Sequence, residues 1–135
     1  MILIVDDEPV RMEVYVNELK LSNYEVELAE NIDDALEYFD KRQEEIKLLI
    51  LDIMMRGGKL SKEKGIERGL RTGIIFYKKI IEENKSLPII ILSNLSKIDD
   101  QEIEQEIQNN PKRKFLHKIE ILPGQLLAEV KEMLS

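Results

Sequence analysis

Five short apolar runs alternate with amphipathic stretches along this chain: Ile2–Val5, Glu25–Ala29, Leu48–Leu51, Ile89–Leu92 and Phe115–His117. Leu48-Leu49-Ile50-Leu51 and Ile89-Ile90-Ile91-Leu92 are apolar without interruption, which predicts strands covered on both faces of a sheet. Glu25-Val26-Glu27-Leu28 alternates instead, as an edge strand with one partly wet face would. Between the runs, apolar residues recur at helical spacing. Pro9 suits the first turn of a helix to about Leu21, with Met12, Val16 and Leu19 facing inward. Asn31 is placed to cap a helix over Ile32–Lys41, whose Ile32, Ala35, Leu36 and Phe39 form one stripe. Gly73–Glu83 carries Ile74, Ile75, Tyr77, Ile80 and Ile81. Asp99–Gln108 is mostly polar over a thin stripe of Ile98, Ile103 and Ile107, and Leu122–Leu134 closes the series.

Strand alternating with helix five times predicts an α/β fold, a doubly wound parallel sheet with helices on both faces. At 135 residues the chain suits one domain, residues 1–135, with one sizeable core. One stretch breaks the rhythm. Residues 53–72 contain Gly57-Gly58, Gly65 and Gly69 and lack steady periodicity. Loops of that length between a strand and a helix are usually functional or mobile.

Composition narrows the classes. The absence of cysteine excludes disulfides and thiolate metal sites and fits a reducing cytoplasm. The apolar start runs straight into Asp6-Asp7-Glu8 without a basic flank and is too short for a signal or a membrane span. A soluble, cytoplasmic protein without a membrane partner is therefore expected. A net charge of -7 argues against direct nucleic-acid binding, which wants clustered positive charge. The charge reverses locally, however: Arg56, Lys59, Lys62, Lys64, Arg68 and Arg71 face only Glu63 and Glu67 in the same stretch.

In open α/β sheets, sites form beyond the carboxyl ends of the strands. Those ends carry Asp6 and Asp7, then Asp52, then Ser93, then Lys118. Carboxylates packed closely repel, and a bound cation or protonation lets them coexist. A hard divalent ion with oxygen ligands, Mg²⁺ above all or Mn²⁺, meets that need. Lys118 adds a positive charge and Ser93 a hydroxyl donor. Such a pocket suits a phosphoryl group, whose oxygens are neutralised while a carboxylate attacks phosphorus. Plainer roles exist for each residue taken singly. Asp6-Asp7 can stop a strand and cap the Pro9 helix, Ser93 and Lys118 can be incidental strand-end residues, and Phe115 can be core. His117, the sole histidine, alternates away from Lys118 and reads as packing or surface. Met54 and Met55 read as gap-fillers.

Ile2-Leu3-Ile4-Val5-Asp6-Asp7-Glu8, Leu49-Ile50-Leu51-Asp52-Ile53-Met54-Met55, Ile90-Ile91-Leu92-Ser93 and Phe115-Leu116-His117-Lys118 resemble the receiver domains of two-component response regulators, in order and over essentially the whole chain. The resemblance implies a flavodoxin-like sheet of order 2-1-3-4-5 and a phosphoacceptor at Asp52, charged by a histidine kinase or phosphotransfer protein. Asp7 and Asp52 would then bind Mg²⁺ directly, with Asp6 helping through water and the Met54 backbone carbonyl as a further ligand. Lys118 would pair with the acyl phosphate, while Ser93 and Phe115 would move together as the switch.

The same comparison marks departures. Ile119 follows Lys118 where the family usually has proline, so a trans bond is expected there. Asn94 replaces a tiny residue, and Met54 and Leu95 are apolar where polar side chains often orient water. Gly73 lies twenty-one positions after Asp52, well beyond the usual spacing. The longer loop resembles that of some stand-alone receivers, and its basic residues would form a flap beside the phosphoryl group or dock an acidic partner. Two alternatives stay open: a pseudo-receiver that binds partners without phosphate, and a Mg²⁺-dependent phosphohydrolase. The latter class generally carries a second aspartate two residues after the nucleophile, where this chain has Met54.

Overall fold

The computed structural model describes residues 1–54, 72–94, 98 and 100–135. Strands β1 (Ile2–Val5), β2 (Val26–Ala29), β3 (Leu48–Leu51), β4 (Ile89–Ser93) and β5 (Arg113–His117) form one parallel sheet of order β2-β1-β3-β4-β5. The helices are α1 (Pro9–Leu21), α2 (Ile32–Arg42), α3 (Thr72–Glu83), α4 (Gln101–Asn109) and α5 (Pro123–Leu134), with a short 3₁₀ turn at Gln43–Glu45. None of the described helices is long and apolar enough to cross a membrane.

The uninterrupted apolar strands feed two cores at once, because successive side chains point to opposite faces. Leu3, Val5, Leu49, Leu51, Ile89 and Ile91 pack with α2, α3 and α4. Ile2, Ile4, Leu48, Ile50, Ile90 and Leu92 pack with α1 and α5. The alternating β2 is at one edge of the sheet, as its pattern predicts.

Local signals set the helix ends. Pro9 opens α1, and Asn23 follows its end in the left-handed region at φ 70°, which asparagine tolerates. The Asn31 side chain accepts from the Asp34 N–H at 2.8 Å and caps α2. Several boundaries differ from the sequence pattern. The loop after β3 ends one residue sooner than expected, since Thr72 already belongs to α3. Helix α4 starts at Gln101 because Asp100 serves as its cap, accepting from the Ile103 N–H. Strand β5 begins two residues before Phe115, at Arg113-Lys114, where charge hides the apolar signal. Arg56, Lys59, Lys62, Lys64, Arg68, Arg71 and Leu95 lie outside the described residues.

Arg113 is a buried cation, its side chain only 1% exposed. Its Nε donates to Glu106 Oε1 at 2.6 Å, and its Nη1 donates to the Leu87 carbonyl at 2.5 Å. The Tyr77 hydroxyl donates to the other Glu106 oxygen at 2.7 Å. Burial, together with Glu106, keeps the Tyr77 phenol protonated well above its ordinary range. Glu106 thus fastens α4 to both α3 and β5. Lys78 adds a second tie, 2.9 Å from Asp100 at the other end of the helix. Since α4 buries only Ile103 fully, these polar ties matter for its position. Removing the carboxylate leaves Arg113 without its counter-charge, so Glu106→Ala is expected to cost about 3 kcal/mol in urea denaturation. A loss within about 0.5 kcal/mol would contradict a holding role for the pair.

Candidate functional site

Register brings the acidic residues together. β1 and β3 pair Val5 with Leu51, so Asp6 and Asp52 come next on adjacent strands. The backbone confirms the step: the Asp52 N–H donates to the Val5 carbonyl at 3.0 Å. On the other side, β4 pairs Ser93 with His117, and the Lys118 N–H donates to the Ser93 carbonyl at 2.9 Å. The predicted residues Asp6, Asp7, Asp52, Ser93 and Lys118 therefore share one end of the sheet. Asp6, Asp52, Ser93 and Lys118 are buried, while Asp7 is exposed.

The geometry is that of carboxylates gathered around one ammonium. Lys118 Nζ is 2.7 Å from Asp6 Oδ2 and 3.2 Å from Asp52 Oδ2. The Glu8 N–H donates to Asp6 Oδ1 at 2.8 Å, and the Met54 N–H donates to Asp52 Oδ1 at 2.9 Å. Burial pushes the Asp6 carboxyl up, and the pairing with Lys118 offsets this only partly. Burial alone would lower Lys118, but the ion pairs with Asp6 and Asp52 outweigh it and raise its pKa.

A divalent cation fits this donor set. One carboxylate oxygen from each of Asp6, Asp7 and Asp52 lies within 4.8 Å of the others. The buried Asp6 Oδ2 faces the Lys118 ammonium at 2.7 Å, while Oδ1 takes the Glu8 N–H. An all-oxygen set in which one ammonium serves two buried carboxylates suits a hard ion such as Mg²⁺.

Gly73 holds the floor of the site. A Cβ there would lie 2.1 Å from the Ile53 carbonyl oxygen, so only glycine lets α3 approach the residue after Asp52. Elsewhere, Phe115 is partly buried against the α4-side core, its ring edge-on to His117 at 5.5 Å. His117 is exposed and Lys118 buried, as strand alternation requires. The Lys118–Ile119 bond is trans. Asn94 lines a cleft with Arg11, Val14, Tyr15, Lys118 and Ile119. Tyr15 lies outside the predicted inward set Met12, Val16 and Leu19, yet its hydroxyl reaches the loop after Lys118.

The response regulator receiver domain model matches residues 2–130. Among solved structures, the chain is similar to a CheY-like receiver domain protein from Methanospirillum hungatei, at 22% identity and TM-score 0.71 over 98% of this chain and 91% of that one. It is also similar to a receiver domain protein from Clostridium thermocellum, at 20% identity and TM-score 0.73 over 98% and 92%. A third is the chemotaxis response regulator CheY4 of Vibrio cholerae, at 24% identity and TM-score 0.69 over 98% and 97%. No curated protein matches the chain.

In metal-free buffer the Asp6 charge is penalised by burial and, to a lesser degree, by Asp52, so Asp6→Asn is expected to stabilise the fold at neutral pH. A folded-state pKa above the ordinary value means that the folded chain binds more protons than the unfolded one in the intervening window. The wild-type penalty is thus absent below the ordinary carboxylate range and grows as pH rises through the raised value. Urea denaturation across that window should show the Asp6→Asn advantage shrinking on acidification; an advantage independent of pH would contradict the assignment.

Proposed function

Because the chain belongs to the response regulator receiver domain family, we propose that it is a two-component phosphoacceptor, phosphorylated on Asp52 by a histidine kinase or phosphotransfer protein in a Mg²⁺-dependent reaction. The observation that carries this reading is the convergence of Asp6, Asp7 and Asp52 within 4.8 Å beside the buried Lys118 ammonium. Asp7 and Asp52 would hold the ion directly, Asp6 through water, with the Met54 carbonyl as a further ligand. The bound ion supplies positive charge to phosphoryl oxygens. An Asp52 carboxylate oxygen attacks phosphorus, the new O–P bond forms as the donor's N–P bond breaks, and the leaving imidazole takes up a proton. Lys118 turns from Asp52 to a phosphoryl oxygen, and the Ser93 hydroxyl donates to another.

The donor is a partner protein and the acceptor is the chain itself, so this is self-phosphorylation rather than turnover of a free substrate. Phosphorylation biases an existing equilibrium of the Ser93–Phe115 surface. The chain's composition fits a cytoplasmic setting. Exposed Val10 and Val14, one turn apart on α1, and exposed Ile119 in the cleft beside Lys118 offer a donor an apolar footing near Asp52.

With Mg²⁺ and acetyl phosphate, intact mass should show one phosphoryl adduct that is lost in Asp52→Asn and in chelator. No adduct from acetyl phosphate or a cognate kinase would favour a receiver fold used without phosphate. Because Met54 and Leu95 are apolar, the adduct should be long-lived; decay as fast as in a rapid chemotaxis-type receiver would refute that. Val10→Glu and Val14→Glu should slow transfer from the partner about tenfold or more and leave acetyl phosphate labelling unchanged. Equal slowing with both donors would speak against a docking role.

A further inference from the structure

We propose that Tyr15 is a positioning residue for Lys118, holding through its hydroxyl the loop that carries the ammonium. The inference rests on the reading that Lys118 pairs with the transferred phosphoryl group. Lys118 stands just past the end of β5, and its side chain must span from the edge of the sheet to Asp6 and Asp52. Its N–H is fixed on the Ser93 carbonyl. The chain then turns at once, the Glu120 and Ile121 N–H groups both donating to the His117 carbonyl at 3.2 and 3.1 Å. Ile119, 81% exposed, and the exposed Glu120 give that turn little packing of their own.

The Tyr15 hydroxyl supplies an anchor. It donates to the Ile121 carbonyl at 2.7 Å and lies 3.5 Å from the Lys118 carbonyl. Its ring packs, partly buried, on the core shared by α1 and α5. The same helix begins directly after Asp6-Asp7-Glu8. The helix that follows Asp6-Asp7 within two residues therefore also grips the ammonium-bearing loop from its middle. The Tyr15 bond thus adds to the burial of Ile121 in fixing the spacing between Asp6 and Lys118. Small misplacements of a charge partner are costly in transfer chemistry, although the flexible lysine stem absorbs part of the error.

The test is a double-mutant cycle of Tyr15→Phe with Lys118→Ala, read by the initial rate of acetyl phosphate labelling with Mg²⁺ and by the affinity for beryllofluoride, a phosphoryl mimic. Tyr15→Phe should lower rate and affinity about fivefold, the factor that loss of one ordinary hydrogen bond yields. In the Lys118→Ala background it should lower neither further. If that background labels too slowly to time, beryllofluoride affinity closes the cycle. Tyr15→Phe shifting only the urea midpoint, or losing the same factor in both backgrounds, would overturn the proposal. A wild-type chain that neither labels nor binds beryllofluoride would overturn the phosphoacceptor reading and this one with it; a wild-type chain that does, with Tyr15→Phe indistinguishable from it, would sink this inference alone.

Discussion

Two buried carboxylates held against one ammonium, with a third carboxylate beside them, are the constraint around which this molecule is arranged. Asp6 and Asp52 are buried, and Lys118 meets both. One ammonium cannot neutralise three carboxylates, and burial, with Asp52 adding to it, holds the Asp6 pKa above its ordinary value despite the pairing with Lys118. A fold that keeps such charges together without a cation gives up stability for readiness. A divalent ion bound among these carboxylates would relieve the repulsion that their assembly creates.

The scaffold makes that concentration of charge tolerable. Strands β1, β3 and β4 are buried on both faces, and their parallel register brings Asp6 level with Asp52 without adjustable joints. Gly73 lets α3 close on the Ile53 backbone, α1 links the acidic pair to the loop of Lys118, and α4 is tied by Glu106 and Asp100. The contrast between α3 and α4 is informative. Helix α3 is held by a broad apolar face, whereas α4 buries one isoleucine fully and leans on ion pairs.

Much of this was legible in the residues. Unbroken Leu48–Leu51 and Ile89–Leu92 could only be two-faced strands, and the alternation at Glu25–Leu28 correctly marked an edge. Once the strands were placed, the topology rule put Asp6, Asp7, Asp52, Ser93 and Lys118 at one end. What pattern reading missed depends on pairing across space. Arg113 looks like a loop charge until Glu106 and the Leu87 carbonyl are seen around it. Tyr15 carries no signal in the α1 pattern, because the acceptor that gives its hydroxyl a purpose is 106 residues away. The need for glycine at position 73 likewise comes from a backbone contact and not from any local turn.

The central claim is that Asp52, among three neighbouring carboxylates, is the one that takes the phosphoryl group. Borohydride reduction of the phosphorylated chain converts the acyl phosphate to homoserine, and tandem mass spectrometry then reads its position. Homoserine is expected at position 52 alone. Homoserine at position 6 or 7, or spread over all three, would contradict it.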